Sequence, residues 1–487
     1  MNVDRFARLH ALIRGAGLAV VMLCATDAYA FDPLLTNRLV PSTPALDMLR
    51  DGADTCLFGD LNGPLKLYDA IERAMCNNPK TRQAWANVKV QAAEVGTARA
   101  SYLPSVTGSL QEAREWRSGR MVGEQAPGAS QTGNQQAAHV SLNWVLYDFG
   151  GRSAALANAN AVLAAARANQ RAVLQTVFAT VAKDFYAAQA ALGTLAAAKE
   201  VESTAQASAS AAAARVEKGV APVSDRLQAE TALAEAVINR TNAERDWQTA
   251  RGLLAADMNL PPTGEFVLPE VGDGVAPVGQ FIDSVRTLID QARHAYPGVV
   301  AAEAQLAAAS ANARQVRAEG LPRLSLVGQF NYNKRPDSLQ AGYPALHATH
   351  REWYVGLQVT FPIFDGFARR YQARQADARI ELQRELLDDA QRQVGLEVWN
   401  AYQTVVGATK NLDHSATLLS LAERSYEAAE RRYRMGAGSV LELLSAQAAL
   451  ANGKKQRVRA LTDWRSARLQ LASKLGDVGI WGQDGVR

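Results

Sequence analysis

Apolar residues recur at alternating spacings of four and three along two stretches of the chain. Val394, Val398, Ala401, Val405, Ala408, Leu412, Ser415, Leu419, Ala422, Tyr426, Ala429 and Tyr433 form one series, in which only Ser415 is polar. Leu174, Phe178, Val181, Phe185, Ala188, Leu192 and Leu195 form the other. That spacing keeps one helix face apolar and is the spacing of a coiled-coil seam. No proline occurs between Pro127 and Pro222, or after Pro362. Proline costs about 3 kcal/mol inside a helix, so proline-free tracts are where long helices can exist. A helix from Arg152 to Val216 would run ~100 Å at 1.5 Å per residue, whereas the mean globular helix has about 11–12 residues. Alanine dominates this tract and lets such helices pack closely.

A second pattern has period two. Val106–Trp116, Ala138–Tyr147, Leu324–Tyr332 and Trp353–Phe361 read as strands (about 106–116, 138–147, 324–332 and 353–361). In the last, Tyr354, Gly356, Gln358 and Thr360 alternate with Val355, Leu357, Val359 and Phe361. Each segment approaches the roughly 9–11 residues of a tilted transmembrane strand. Trp116, Trp144, Tyr332 and Trp353 stand near segment ends, where interfacial aromatics belong. A pair of soluble hairpins fits the strands alone equally well. Ser118–Gln136 and Asn333–Arg351 read as the hairpin loops.

These patterns occur twice. Pro79 and Pro104 recur as Pro297 and Pro322, at an offset of 218. Trp144-Val-Leu-Tyr147-Asp148 recurs as Phe361-Pro-Ile-Phe364-Asp365, and Arg152 as Arg369, at 217. Gly219 to Leu227 recurs as Gly436 to Leu444, also at 217. The expected organisation is residues 1–30 as an export signal, 31–66 as an N-terminal periplasmic segment, 67–275 and 276–475 as two structural repeats, and 476–487 as a tail. Each repeat reads as a helix (Leu67–Ala100; Phe281–Glu319), two strands, a very long helix, a Gly-marked turn and a return helix.

Composition narrows the class. The 487 residues carry 52 basic and 48 acidic side chains, which leaves no basic field for nucleic acid. No run after the N-terminus reaches the roughly 18–20 apolar residues of a membrane helix. The first 30 residues have a basic start (Arg5, Arg8, Arg14), a short apolar core and Ala28-Tyr29-Ala30 before Phe31, which marks Ala30/Phe31 as the cleavage point. Cys24 leaves with that signal. Cys56 and Cys76 remain, and in an oxidising compartment a disulfide is the default for two such cysteines. Two cysteines without a nearby histidine make a poor zinc site.

Four strands cannot close a membrane barrel, and open edges are not tolerated in lipid. If these strands span a membrane, the chain must oligomerise. An exported chain with barrel strands and no membrane helix belongs in a bacterial outer membrane, where a hollow object of this kind is a duct.

The junctions Tyr147-Asp148-Phe149-Gly150-Gly151-Arg152 and Phe364-Asp365-Gly366, the turn Gly436-x-x-Ser439-Val440-x-Glu442-Leu443-Leu444 and the duplication resemble the TolC family of outer-membrane channel proteins. The segment Ala74 to Trp85 is similar to the type I secretion branch, which includes the outer-membrane components for RTX toxins such as cyclolysin and haemolysin. The resemblance implies a homotrimer with a twelve-stranded outer-membrane β-barrel, four strands per chain. A long α-helical coiled-coil periplasmic tunnel continues the barrel. It implies partnership with a periplasmic adaptor (membrane fusion) protein and an inner-membrane ABC transporter. A drug or metal efflux duct served by a proton-driven pump is the alternative, and a periplasmic coiled-coil structural protein is a second. By the same resemblance Asp225, Glu442 and Ser445 take the positions of the periplasmic aperture, beside the turn glycines Gly219 and Gly436. Ser445 departs from an acidic residue, and Gly438 from an arginine, of the best-known channel. A plainer role for Asp225 and Glu442 is to stabilise the first turns of their helices. No phosphate loop, hydrolase elbow, cofactor motif or metal cluster appears, and His347 and His350 fall in the expected outer loop. The chain reads as a conduit rather than an enzyme.

Overall fold

The computed structural model describes residues 32–45, 56, 58–59, 61, 63–119, 129–270, 285–337 and 346–476. The expected signal at 1–30, its Ala30/Phe31 cleavage point and residues 477–487 lie outside the described residues. After a 3-10 turn at Asn37–Leu39 the elements run α1 (Leu67–Asn77), α2 (Pro79–Ala100), β1 (Ser105–Gly119), β2 (Ala129–Tyr147), α3 (Gly151–Glu217), α4 (Val223–Asp257), α5 (Val285–Ala295), α6 (Pro297–Ala318), β3 (Arg323–Asp337), β4 (Leu346–Thr360), α7 (Ala368–Arg434) and α8 (Val440–Lys474). The repeats match helix for helix: α1 and α5 have 11 residues, α2 and α6 have 22, α3 and α7 have 67, and α4 and α8 have 35. No helix among the described residues is long and apolar enough to cross a membrane. The chain forms two compact units, whose boundaries fall between Val40 and Pro41 and within α2, α3, α6 and α7.

Three sequence expectations are corrected. The helices expected over Leu67–Ala100 and Phe281–Glu319 are each two helices, broken at Asn78 and Tyr296. A proline pushes its predecessor out of the helical region, and Asn78 has ψ 131°. Asn78 turns the break into a cap: its Oδ1 accepts from Lys80 N–H at 2.9 Å, and its Nδ2 donates to the Asp257 carbonyl at 3.0 Å. The third correction concerns the hairpins. Residues expected as loop at 118–136 and 333–351 are largely strand, since β1 runs to Gly119, β2 starts at Ala129, β3 runs to Asp337 and β4 starts at Leu346. The ladder needs only backbone donors and acceptors, so it continues where the side chains turn polar and the period-two signal fades. His347 and His350 accordingly lie in β4.

The first unit contains one antiparallel sheet in the order β1-β2-β3-β4. Directly opposed residues share a face, so the register sorts the sheet. One face carries Thr107, Ser109, His139, Ser141, Gln329, Asn331 and Tyr354. The other carries Leu110, Val140, Leu142, Leu326, Phe330, Val355, Leu357 and Val359. Trp116, Trp144, Tyr332 and Trp353 all lie on this second face.

In the second unit the apolar seams are the buried faces of α3 and α7. Val181 and Val398, Ala188 and Val405, Leu195 and Leu412, Ala205 and Ala422, and Ala212 and Ala429 are buried pairs, each at the repeat offset. Ser415 fits the seam because its hydroxyl donates to the Leu412 carbonyl at 2.8 Å and lies 3.3 Å from Arg457 Nη1. Around α3 the core gathers Met75, Phe178, Phe185, Leu254 and Phe266; around α7 it gathers Leu288, Val398, Leu461 and Trp464. Cys56 and Cys76 are joined, with Cα atoms 5.6 Å apart, which ties Cys56 to α1.

Candidate functional site

Among the described residues four places carry chemistry: the strand-to-helix junctions, the polar sheet face, the helix turns and the end of α4. At the first junction Asp148 Oδ2 accepts from the Arg152 backbone N–H at 2.7 Å and caps α3. The Arg152 guanidinium reaches back to the Val145 and Leu146 carbonyls at 2.6 and 3.1 Å. Those carbonyls flank a register shift in β2; a bulge leaves such groups unpaired, and the planar fork of arginine can satisfy two at once. Arg152 also lies over the Tyr102 ring, 4.8 Å from its centre. Asp365 and Arg369 repeat the device: Oδ2 accepts from the backbone N–H at 3.2 Å and pairs with Nε at 2.5 Å. That contact holds the Asp365 carboxyl below its ordinary range. Sequence comparison of the repeats had aligned the two arginines, but the carbonyls they serve are set by the fold.

On the polar face, His139 Nδ1 lies 2.6 Å from Asn331 Oδ1, Gln329 Nε2 donates to the same oxygen at 3.1 Å, and the Tyr354 hydroxyl donates to Gln329 Oε1 at 2.8 Å. Thr107 and Ser141 hydroxyls meet at 2.7 Å. This network crosses three strands, so sequence spacing does not reveal it.

The turns are built alike. Gly219 (φ +69°) ends α3 and Gly436 (φ +76°) ends α7. Gly219 N–H donates to Val216 O, and Val220 N–H to Arg215 O; Gly436 N–H donates to Tyr433 O, and Ala437 N–H to Arg432 O. This doubled closure is a Schellman motif, which needs a left-handed residue and therefore favours glycine. Space is tight at Gly438: a Cβ there would meet Arg432 Cβ and Tyr433 N at 3.1 Å, so the turn would have to give by a few tenths of an ångström to accept one. The two turns share a small core of Ala212, Ala229, Tyr433, Val440 and Leu443. Arg215 Nη1 donates to the Tyr433 carbonyl at 3.2 Å and lies 4.9 Å from its ring centre.

The expected aperture residues fall here. Asp225 is in the first turn of α4 and Glu442 in the first turn of α8. Glu442 N–H donates to the Ser439 hydroxyl at 3.2 Å, and its Oε1 lies 3.5 Å from Arg432 Nη1. Ser445 is exposed and lines a groove of about 620 Å³ with Leu227 and Gln228 of α4. Arg432 was missed by sequence reasoning, because the turn folds it back onto a residue ten positions later.

Farther along, α4 ends in a titratable contact. Burial, and then the hydrogen bond and like charge of Asp184, raise the Asp257 carboxyl to about 7, against the pull of Lys80. Ion pairs tie neighbouring helices: Lys454 to Glu200 at 2.7 Å, Arg240 to Glu202 at 2.7 Å, and Lys474 to Glu397 at 2.8 Å.

Known proteins place this architecture. The family described as outer membrane efflux protein matches residues 70–259 and again residues 288–477, so one family unit occurs twice at the offset read from the prolines. The chain is 32% identical over 489 residues to Protein CyaE of Bordetella pertussis, covering 98% of this chain and 97% of that protein. It is 27% identical to the pyoverdine export outer membrane protein OpmQ of Pseudomonas putida, over 86% of this chain and 87% of that one. The Campylobacter jejuni CmeC outer membrane channel has the same fold, with a TM-score of 0.71 at 17% identity, covering 86% of this chain and 87% of that structure. The chain belongs to the outer membrane efflux protein family.

Proposed function

We propose that the protein is the outer-membrane exit duct of a type I secretion system, passing an RTX-like toxin or another polypeptide. The observation that carries this reading is likeness to CyaE along the whole chain, together with the type I signature at Ala74–Trp85. The sheet supports a homotrimer: β1 and β4 each have an unpaired edge, a membrane excludes such edges, and three copies give twelve strands. A periplasmic adaptor and an inner-membrane ABC transporter supply engagement and energy. The likeness to OpmQ, a pyoverdine export outer membrane protein, favours one second reading, the outer-membrane channel of a small-molecule efflux pump. Deleting the gene separates them. The expected result is loss of one or more large polypeptides from the culture medium, with siderophore export and drug tolerance unchanged. An intact secreted proteome with raised drug sensitivity would overturn the first reading.

A further inference from the structure

The apolar face of the sheet ends abruptly in positive charge. Along β3 the residues on this face run Leu324, Leu326, Gly328, Phe330 and Tyr332, then Lys334. Along β4 they run from Val359 through Trp353 to Arg351, and along β1 from Val106 through Leu110 to Glu112 and Arg114. From Leu324 to Tyr332 is about 27 Å of strand, or about 20 Å along the axis of a barrel whose strands tilt by ~40°. Arg114, Lys334 and Arg351 therefore stand just beyond one rim of the apolar band, at the level of lipid head groups. Arg351 lies opposite Tyr332 and 5.7 Å from its ring centre, and Arg114 lies 5.7 Å from that of Trp116. Cationic groups resting on aromatic rings, with the charge at the rim, suit a membrane interface. Among the described residues none of the three has a carboxylate within salt-bridge distance. Glu112, on the same face, takes a hydrogen bond from Gln136 at 3.3 Å. Glu352 and His350 share this height but sit on the polar face. By register Arg117 and Arg335 also fall on the polar face, but with Glu115, Asp337 and Glu352, whereas the apolar face sets three cations against Glu112 alone.

We infer that Arg114, Lys334 and Arg351 bind the phosphate groups of the glycolipid in the external leaflet. This rests on the duct reading above, which puts the hairpin ends outside. Continuity with the lipid-facing band and charge complementarity carry it. Basic residues at a membrane surface hold anionic head groups, and arginine grips phosphate with two parallel donors. In the trimer, the β4 edge of one copy adjoins the β1 edge of the next, so Arg351 and a neighbour's Arg114 flank one lipid.

The test uses the full mature chain purified as its oligomer. Bisphosphorylated lipid A, the same lipid dephosphorylated, and phosphatidylglycerol are offered separately, and bound lipid is counted by native mass spectrometry. Wild type is expected to retain bisphosphorylated lipid A, and R114Q/K334Q/R351Q to retain at least about tenfold less. The inward control E352Q should match wild type, and the two other lipids should bind weakly to all. If the triple variant does not assemble, R351Q alone carries the comparison. Equal retention by wild type and variant, or equal capture of phosphatidylglycerol, would overturn the proposal. Thr349→Cys on intact cells separates the two readings. External labelling with no lipid A preference overturns the lipid site alone, and labelling only from the periplasm overturns the site and the duct orientation together.

Discussion

Asp257 shows how one carboxyl can make a helix end respond to pH. Its folded value of about 7 lies above the ordinary 3.8. A raised acid stabilises the fold fully below its unfolded value, and that contribution is lost as pH rises through the folded value. Between about pH 4 and 7 the end of α4 should therefore loosen as pH rises. Asp257→Asn should flatten that slope and protect the segment at neutral pH, read as the pH dependence of thermal melting and of amide exchange around 250–260. A slope unchanged in Asp257→Asn would remove Asp257 as its source. Glu442 poses a different question, since Arg432 partly neutralises it, and an exposed pair of this kind is worth only about 0–1 kcal/mol. If Asp225 and Glu442 form acidic rings at the periplasmic mouth, Arg432→Ala should strengthen cation preference in planar bilayers. Asp225→Ala with Glu442→Ala should weaken both that preference and divalent block. Wild-type selectivity in the double variant, with normal assembly, would leave the acids only the macrodipole role worth about 0.3–1 kcal/mol.

At the scale of elements, the sheet has two faces of opposite tolerance. Val355→Asp puts a charge on the apolar face and should impair membrane assembly; a lipid-facing Arg or Lys at the midplane of such barrels costs about 2–4 kcal/mol, and an acid less. Gln358→Asp, three residues on and on the polar face, should assemble normally. Heat-modifiable migration of outer-membrane fractions reads both, and equal assembly would refute the face assignment. The long helices were legible from the sequence because a seam repeated over dozens of residues cannot be mistaken for a strand. Trp353 to Phe361 was legible because its alternation coincides with burial in lipid. The outer halves of the hairpins were not, since polar residues such as Gln136 and Lys334 oppose each other there and break the period-two apolar signal. The breaks at Asn78 and Tyr296 carried their proline signal, which the strength of the surrounding helical pattern masked. The turn glycines and the following acids were plain, but Arg432 and the Arg152 fork act through contacts that only the closed turn and the bulge create.

At the scale of the molecule, the chain is an incomplete object. Among the described residues its four strands leave two edges, and the apolar face of the sheet is largely exposed. Detergent-extracted protein should have about three times the mass of one mature chain by light scattering corrected for detergent. A stable membrane-embedded monomer would defeat the architecture. The duplication bears on this count as well, because each copy supplies two near-equivalent hairpins and two near-equivalent helix turns, so a threefold assembly presents six similar positions around its axis.

Those positions are similar but not equal in how long they stay shut. Ser439 caps the return helix α8, its hydroxyl accepting from the Glu442 amide; before α4 Pro222 offers no side-chain acceptor, and the Asp225 amide donates only to the Pro222 carbonyl, at 3.1 Å. A side-chain cap of this kind is worth about 1 kcal/mol, or about a fivefold difference in how often the turn opens. Amide protons at Asp225 and Arg226 should therefore exchange with solvent about five times faster than those at Glu442 and Leu443. Ser439→Ala should bring the two rates together. Around the ring, fast and slow turns would alternate, giving the periplasmic end two clocks rather than one.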